Sequence, residues 1–299
     1  MARAKKKNRK TLKVLAIAAL AVIVTALSAV YLYNTPLAVL QPAGPVAAGE
    51  RHLLIVAFIM MLFVVIPVFV ITFAIAWRYR ESNHKAKYDP KLDHNHIAEG
   101  LWWLIPSALI AVLAVMTWHG TYKYDPHRPL ASAEDTMKVQ VVALDWRWLF
   151  IYPDERVASV NELHLPVNKA VEFQITADAP MNSFWIPQLG GQVYAMPGMG
   201  TSLHLMADRP GTYYGSSANI SGKGFAGMHF NTIATSQKEF DTWVAGAATQ
   251  KPLTKNLYDN LAKQNTDQSI YTYGRPATDL YDTIIAKYMH ANHNTEEIE

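Results

Sequence analysis

Two uncharged apolar runs on either side of a short basic loop constrain this chain more than any other feature. Leu53 to Trp77 is 25 residues without a charge. At ~1.5 Å per residue, a helix of that run is roughly 37 Å long, enough to cross the hydrocarbon layer with some tilt. Pro67 inside it predicts a kink. A second span runs from about Leu101 to Trp118. Its Trp102, Trp103 and Trp118 sit near the ends, where an interfacial aromatic belt belongs. The intervening loop, Arg78 to Gly100, holds Arg78, Arg80, Lys85, Lys87 and Lys91. Short loops rich in Lys and Arg stay in the cytoplasm. The hairpin therefore has its turn inside, and everything after Trp118 is extracytoplasmic. Two buried helices of a soluble protein would not carry this charge pattern.

The N-terminus agrees with that orientation. Residues 1–13 carry Arg3, Lys5, Lys6, Lys7, Arg9, Lys10 and Lys13 with no acid, and an uncharged run follows from Val14 to Tyr33. Two readings of residues 1–33 stand side by side. The segment is either a signal peptide, cut after Ser28 in Ala26-Leu27-Ser28, or an additional transmembrane helix. Residues 34–51, rich in Pro, Gly and Ala, read as a loop.

Composition removes several function classes. Hydrophobic residues make up 51% of the chain and charged residues 17%, against roughly 25% charged in soluble domains. A soluble cytosolic enzyme is excluded. Net charge is +3, with the basic excess at one end, which argues against a nucleic-acid surface. The chain has no cysteine. That removes disulfides, thiolate zinc sites, iron–sulfur clusters, a catalytic thiol, thiolate copper and lipidation on cysteine. No phosphate-binding Gly-rich loop and no Gly-x-Ser-x-Gly elbow is present.

From Met137 the pattern changes to period two. Residues 137–152 alternate and are rich in Val and aromatics, so they read as strands. Residues 160–176 read as two more, turning at Pro166-Val167-Asn168, and segments 202–208, 211–217 and 228–235 follow. Short strands at this spacing without intervening helices indicate a β-sandwich or barrel. After Ser236 the chain turns helical, with Ser236 and Glu239 forming a capping box. Residues 250–268 read as a linker. Residues 278–292 form a helix whose stripe at 280, 284, 285 and 288 packs on the β-domain or a partner subunit.

Four stretches, in this order, resemble subunit II of the haem–copper respiratory oxidases. Glu99-Gly-Leu-Trp-Trp103-Leu-Ile-Pro106 resembles the Glu-x3-Trp-x2-Pro opening of that family's second helix. Asp145-Trp-Arg-Trp148 is similar to its paired-Trp strand, and Asn182-Ser-Phe-Trp-Ile-Pro187 to its His-Ser-Phe-Trp-x-Pro turn. Gly215 to Met228 is similar to its copper loop, Cys-x-Glu-x-Cys-x3-His-x2-Met. The resemblance covers residues 50–245. It implies a membrane-anchored α+β protein: a helix hairpin at 50–122 (spans 53–77 and 101–118), a cupredoxin-like domain at 123–236 and a helical extension at 237–299.

The mismatches are as informative as the matches. Where the family supplies two His, two Cys, a Glu carbonyl and a Met to a dinuclear copper, this chain has Asn182, Ser217, Asn219, Ser221, Phe225 and Met228. Only Met228 keeps its type. A mixed-valence copper pair needs thiolates to bridge and delocalise charge. Serine hydroxyls do not do that, and Phe225 offers no lone pair. This loss is similar to the cytochrome bo-type ubiquinol oxidase branch, which 181–199 and 220–228 also resemble closely. Many relatives there carry a lipidated cysteine that this chain lacks.

The resemblance implies a subunit without a redox centre in a proton-pumping quinol oxidase. This chain would bind no cofactor or metal. Haem and the remaining copper would lie in subunit I. Its partners would be subunit I, further integral subunits and membrane lipid, with quinol contacted indirectly and no nucleic acid. It would sit in the bacterial inner membrane with its C-terminal domain in the periplasm. Glu99, an acid at the cytoplasmic start of a span, is the candidate mouth of a proton pathway into subunit I. The same position also suits a solvated carboxylate at a helix start. Two other functions compete with this one: a copper electron carrier, which the missing cysteines oppose, and a membrane-tethered binding or scaffold module. Trp146 and Trp148 read as packing residues on one strand face. His94 with His96 reads as a solvated pair, since no third ligand is evident. His204, on a strand, and His229, just after the loop, form with Met228 a remote candidate for a cryptic metal site. His290 and His293 read as exposed.

Overall fold

The computed structural model describes residues 37–86, 95–130 and 135–293, with scattered helical positions between 19 and 35. Residues 1–18, and with them most of the signal-peptide or first-span question, lie outside the described residues, as does His94. The chain divides into two units, residues 1–41 and 42–299. In the first, a short 3-10 turn covers Ala38–Leu40.

The second unit begins with the hairpin. Helix α1 spans Pro45–Arg78 and α2 spans His96–Lys123. Helix α1 starts eight residues before its apolar run, not after a loop reaching residue 51. Its start is set by Pro45 in the first turn, where the missing N–H costs no hydrogen bond. Both helices continue through their prolines, Pro67 and Pro106. Their lengths and apolar windows suit membrane crossing, and side chains such as Phe63, Phe73, Trp103 and Trp118 are exposed. Gly120 of α2 lies against the end of the Leu53 side chain of α1, which would have to shift if position 120 carried a side chain.

The exported half is a sandwich of two sheets. One has seven strands, in the order β11-β12-β3-β2-β1-β5-β8. These are β1 (Met137–Leu144), β2 (Arg147–Tyr152), β3 (Val157–Val160), β5 (Val171–Ala177), β8 (Thr201–Leu205), β11 (Pro252–Leu253) and β12 (Tyr271–Pro276). The other has five, in the order β4-β10-β9-β6-β7. These are β4 (Glu162–Pro166), β6 (Asn182–Trp185), β7 (Val193–Ala195), β9 (Gly211–Ser217) and β10 (His229–Thr235). Strands β1 and β5 pair in parallel, as do β4 and β10. The expected strands at 137–152, 160–176, 202–208, 211–217 and 228–235 all form. Asn168 turns between β4 and β5 at φ 60°.

Between the sheets lies an aromatic core of Trp148, Phe150, Phe173, Phe184 and Phe230, all fully buried. Phe184 stacks on Phe230 at 5.2 Å and meets Trp148 edge-on at 5.4 Å. A second core covers the other face of the larger sheet. Val142, Leu144, Leu149 and Ile151 pack there against Tyr258, Leu261, Leu280 and Ile284. Strand β2 is therefore buried at every position, which explains its unbroken apolar run Trp-Leu-Phe-Ile-Tyr.

The covering elements come from the C-terminal extension. Helix α3 (Gln237–Ala248) opens with the expected Ser236–Glu239 capping box. Residues 250–268 are not a structureless linker. They contain β11 and helix α4 (Lys255–Leu261), the latter capped by the Thr254 side chain. Helix α5 (Leu280–His293) buries its stripe on the sandwich itself, and β12 adds a strand beside β3.

Residues 42–47 are built into the sandwich base. Ala43 N–H donates to Gln188 O at 2.7 Å, and Ala47 N–H to Leu189 O at 3.1 Å. Gly44 lies directly against the carbonyls of Met206 and Leu189, so any side chain there would collide with backbone.

Candidate functional site

The loop between β9 and β10 closes over one end of the aromatic core. Asn182, at the start of β6, is 1% exposed, and Met228, at the loop's end, is 2% exposed. The Asn182 Nδ2 donates to Ser221 Oγ at 2.9 Å and to Met228 Sδ at 3.1 Å. Its Oδ1 accepts from Ser183 N–H at 2.8 Å. The Ser217 N–H donates to Met228 O at 3.1 Å, and Ala218 N–H to Ser183 O at 3.1 Å. The Asn219 Nδ2 donates to Met181 O at 3.0 Å. All six positions read from sequence as former ligands thus bond to one another or to their neighbours, Phe225 through its carbonyl, which accepts from Met228 N–H at 3.0 Å. Phe225, half-buried, starts the 3-10 turn Phe225–Gly227.

Trp146 roofs this cluster. It sits in the β1–β2 turn at φ 62°, not on a strand face. That left-handed turn swings the indole over the loop, where Nε1–H donates to Ser221 O at 3.3 Å. Gly224 packs so closely that a Cβ there would fall inside the indole ring. Gly222 adopts φ 118° beside the same ring, a conformation that favours glycine. The C-terminal extension holds the turn from outside. Gln268 Nε2 donates to Trp146 O at 3.0 Å, and the buried Arg147 donates to Leu261 O at 2.7 Å. Trp148 lies beneath, in the core.

These residues do not suit a copper pair. A dinuclear copper centre wants thiolates and imidazoles, and the cluster offers two carboxamides, two hydroxyls and one thioether. The Ser217 Oγ is buried and has no hydrogen-bond partner. Among the described residues no group of three or more His, Cys, Asp or Glu could hold a metal. His204 and His229 are not drawn together with Met228. His204 is on β8 of the larger sheet, while exposed His229 stacks on Tyr214 of the smaller one.

Glu99 occupies the first turn of α2. Asn95 caps that helix by accepting from Ala98 N–H at 3.1 Å. The Glu99 carboxylate lies 3.5 Å from the His96 ring, and both are partly or fully exposed. A carboxylate here is favoured by the helix dipole. Two groups escaped the sequence reading. Asp178 is buried beneath the extension. Glu50 is half-buried one turn before the apolar run of α1, and an acid beside 25 uncharged residues was the signal available for it.

The fold defines a cupredoxin-like exported domain on a two-helix membrane anchor. Residues 115–234 match the family model described as "Cytochrome C oxidase subunit II, periplasmic domain". Residues 247–292 match the one described as "COX Aromatic Rich Motif". The chain is 46% identical to cytochrome bo(3) ubiquinol oxidase subunit 2 of Pseudomonas putida, over 83% of this chain and 80% of that protein. It is 44% identical to ubiquinol oxidase subunit 2 of Acetobacter aceti, over 87% and 86% respectively. Among solved structures, the periplasmic domain of cytochrome oxidase subunit II from Bradyrhizobium japonicum is 25% identical at TM-score 0.37, covering 40% of this chain and 96% of that one. The chain belongs to the oxidase subunit II family, in its cytochrome bo-type ubiquinol oxidase branch.

Proposed function

We propose that this chain is subunit II of a proton-pumping ubiquinol oxidase of the bacterial inner membrane, and that it works there without a redox centre of its own. The overall reaction takes ubiquinol and oxygen to ubiquinone and water. Haem and copper belong to subunit I, which meets this chain through the exposed apolar faces of α1 and α2. The chain contributes assembly and stability. The exported domain lies in the periplasm, as the basic loop between the spans requires.

The observation that carries this reading is the Asn182 clasp. Its bonds to Ser221 and Met228 fill with internal hydrogen bonds the space where a metal would have joined the same elements. An electron relay has no purpose where the donor is a lipid-soluble quinol reaching the enzyme from within the bilayer.

Glu99 is proposed as the cytoplasmic mouth of a proton pathway into subunit I. Its place in the first turn of a span, partly exposed and beside His96, supports this. The deciding experiment for the whole reading is copurification from membranes in mild detergent. A haem-bearing integral subunit with ubiquinol oxidase activity is expected to accompany the chain. Purification as a haem-free, inactive protein would favour a tethered binding module. Stoichiometric copper in the exported domain, reducible and in electronic contact with haem, would overturn the reading.

A further inference from the structure

The seam between the membrane hairpin and the sandwich contains a cavity of about 270 Å³ that the oxidase reading does not use. Its walls come from three places: the first turns of α1, the exit of α2 with the segment that follows, and the sandwich base. Charge is distributed around it in a definite way. Lys123 and Arg128 line it from the exit of α2, and Glu50 and His204 from the other two walls. Ligand sites commonly join such a mostly apolar hollow to a few convergent polar groups.

Each polar group has a fixed posture. The Glu50 carboxylate accepts from Gly191 N–H, which places it against the sandwich base. Arg128 donates one N–H to Tyr122 O at 3.2 Å, and a guanidinium carries five donors. Lys123 lies over the Tyr124 ring at 5.3 Å. Asp125, also on the wall, is occupied by His127 N–H at 2.9 Å and by the His127 ring. His204 is only 8% exposed. Its Nδ1 faces Pro126 O at 3.1 Å, and a carbonyl there can only accept, so Nδ1 carries the proton. In the neutral ring Nε2 is then the lone-pair nitrogen, on a buried residue that lines the cavity.

The location selects the ligand class. The cavity follows directly on Trp118 and Tyr122, the aromatic pair at the outer end of α2. A group bound there sits at headgroup depth in the outer leaflet. We propose that this cavity binds the zwitterionic headgroup of a phosphatidylethanolamine-type lipid, with its phosphate on Lys123 and Arg128 and its ammonium on Glu50 and His204 Nε2. An anionic headgroup would satisfy the cations and leave Glu50 opposed to like charge. A trimethylammonium headgroup has no N–H to give His204.

The test uses the full-length chain in nanodiscs of equimolar phosphatidylethanolamine and phosphatidylglycerol. A phosphatidylethanolamine bearing a photoreactive group near the glycerol is added, and the labelled peptides are mapped. Label is expected to concentrate on residues 45–53 and 119–130, and to be displaced by phosphatidylethanolamine but not by phosphatidylcholine or phosphatidylglycerol. Glu50→Gln should lower the preference for phosphatidylethanolamine over phosphatidylglycerol about tenfold. Arg128→Gln should weaken labelling by either lipid. Label spread evenly along both spans would overturn the proposal, and so would equal displacement by phosphatidylcholine. If a variant fails to fold, the displacement series on the unaltered chain decides alone.

Discussion

Lys287 on α5 reaches across to Asp178 at the end of β5, with Nζ 2.6 Å from Oδ1. The Asp178 side chain is 1% exposed, while that of Lys287 is 59% exposed. The same oxygen accepts from Tyr288 O–H at 2.6 Å, and Oδ2 accepts from Tyr258 O–H at 2.6 Å. One buried carboxylate thus ties α4 and α5 to the sandwich. Asp178→Asn removes the charge that all three donors share, at a cost of about 2–4 kcal/mol. The cost falls on the extension's docking, not on the aromatic core. Protease nicking beyond residue 250 should accelerate about thirtyfold or more, with β-sheet signal retained. Nicking at the unaltered rate would show that apolar packing alone holds the extension.

The same network sets a pH limit. Burial and then the Asp178 carboxylate raise the hydroxyls of Tyr258 and Tyr288 above the ordinary tyrosine value of 10.0. For Lys287 burial acts downward, but Asp178 outweighs it and the net shift is upward from 10.5. A group whose pKa is raised by folding stabilises the fold fully below its unfolded value and loses that contribution as pH rises past the folded one. These three groups therefore hold the extension through neutral pH and release it in alkali, above about pH 10. The tyrosinate absorbance lost in a Tyr258→Phe/Tyr288→Phe variant isolates these two hydroxyls, and in the parent that difference signal should rise in one step with protease nicking. Ionisation of these two hydroxyls well before any nicking would contradict this linkage.

The glycines of the loop give a steric test. Gly224 lies against the face of Trp146, and a methyl group there has no room. Gly224→Ala should cost about 1–3 kcal/mol through overpacking and displace the indole. A shift in tryptophan emission and a lowered melting temperature are the expected readouts. An unchanged emission spectrum would mean that the indole does not roof the loop in solution.

The membrane hairpin was legible because uncharged length and loop charge are one-dimensional quantities. Strands such as β5 and β10 were legible where one face is more buried than the other, so that period two survives. Strand β3, whose four residues are all buried, carries no alternation. Strands β11 and β12 and helix α4 were hidden because β11 has two residues and α4 has seven, too few for a periodic signal. Their stability comes from tertiary partners such as β3 and Asp178. The residues of the loop that the family resemblance pointed to were visible one by one. The clasp that Asn182 makes was not, because it joins residues 39 and 46 positions apart. Trp146 leaves the strand through a left-handed turn that sequence spacing does not reveal.

Glu99 gives a prediction in the assembled oxidase. Glu99→Ala should slow turnover at least about tenfold if the carboxylate passes protons inward. Glu99→Asp should recover part of the rate. The helix itself should survive, since Asn95 still caps it. Unchanged turnover and unchanged pumping in the alanine variant would reduce Glu99 to a solvated carboxylate at a helix start.

Asn182→Ala tests whether hydrogen bonds hold the loop in place of a metal. The change removes the bonds to Ser221 Oγ, Met228 Sδ and Ser183 N–H together. It leaves buried polar groups unpaired, so the expected loss is about 1–3 kcal/mol. Met228→Leu keeps the volume and removes only the sulfur acceptor, so it should cost less than about 1.5 kcal/mol. If the two residues act through one bond, the double variant should cost measurably less than the sum of the single ones. Additive effects, or an alanine variant as stable as the parent, would mean that the loop is held by Trp146 and the extension instead.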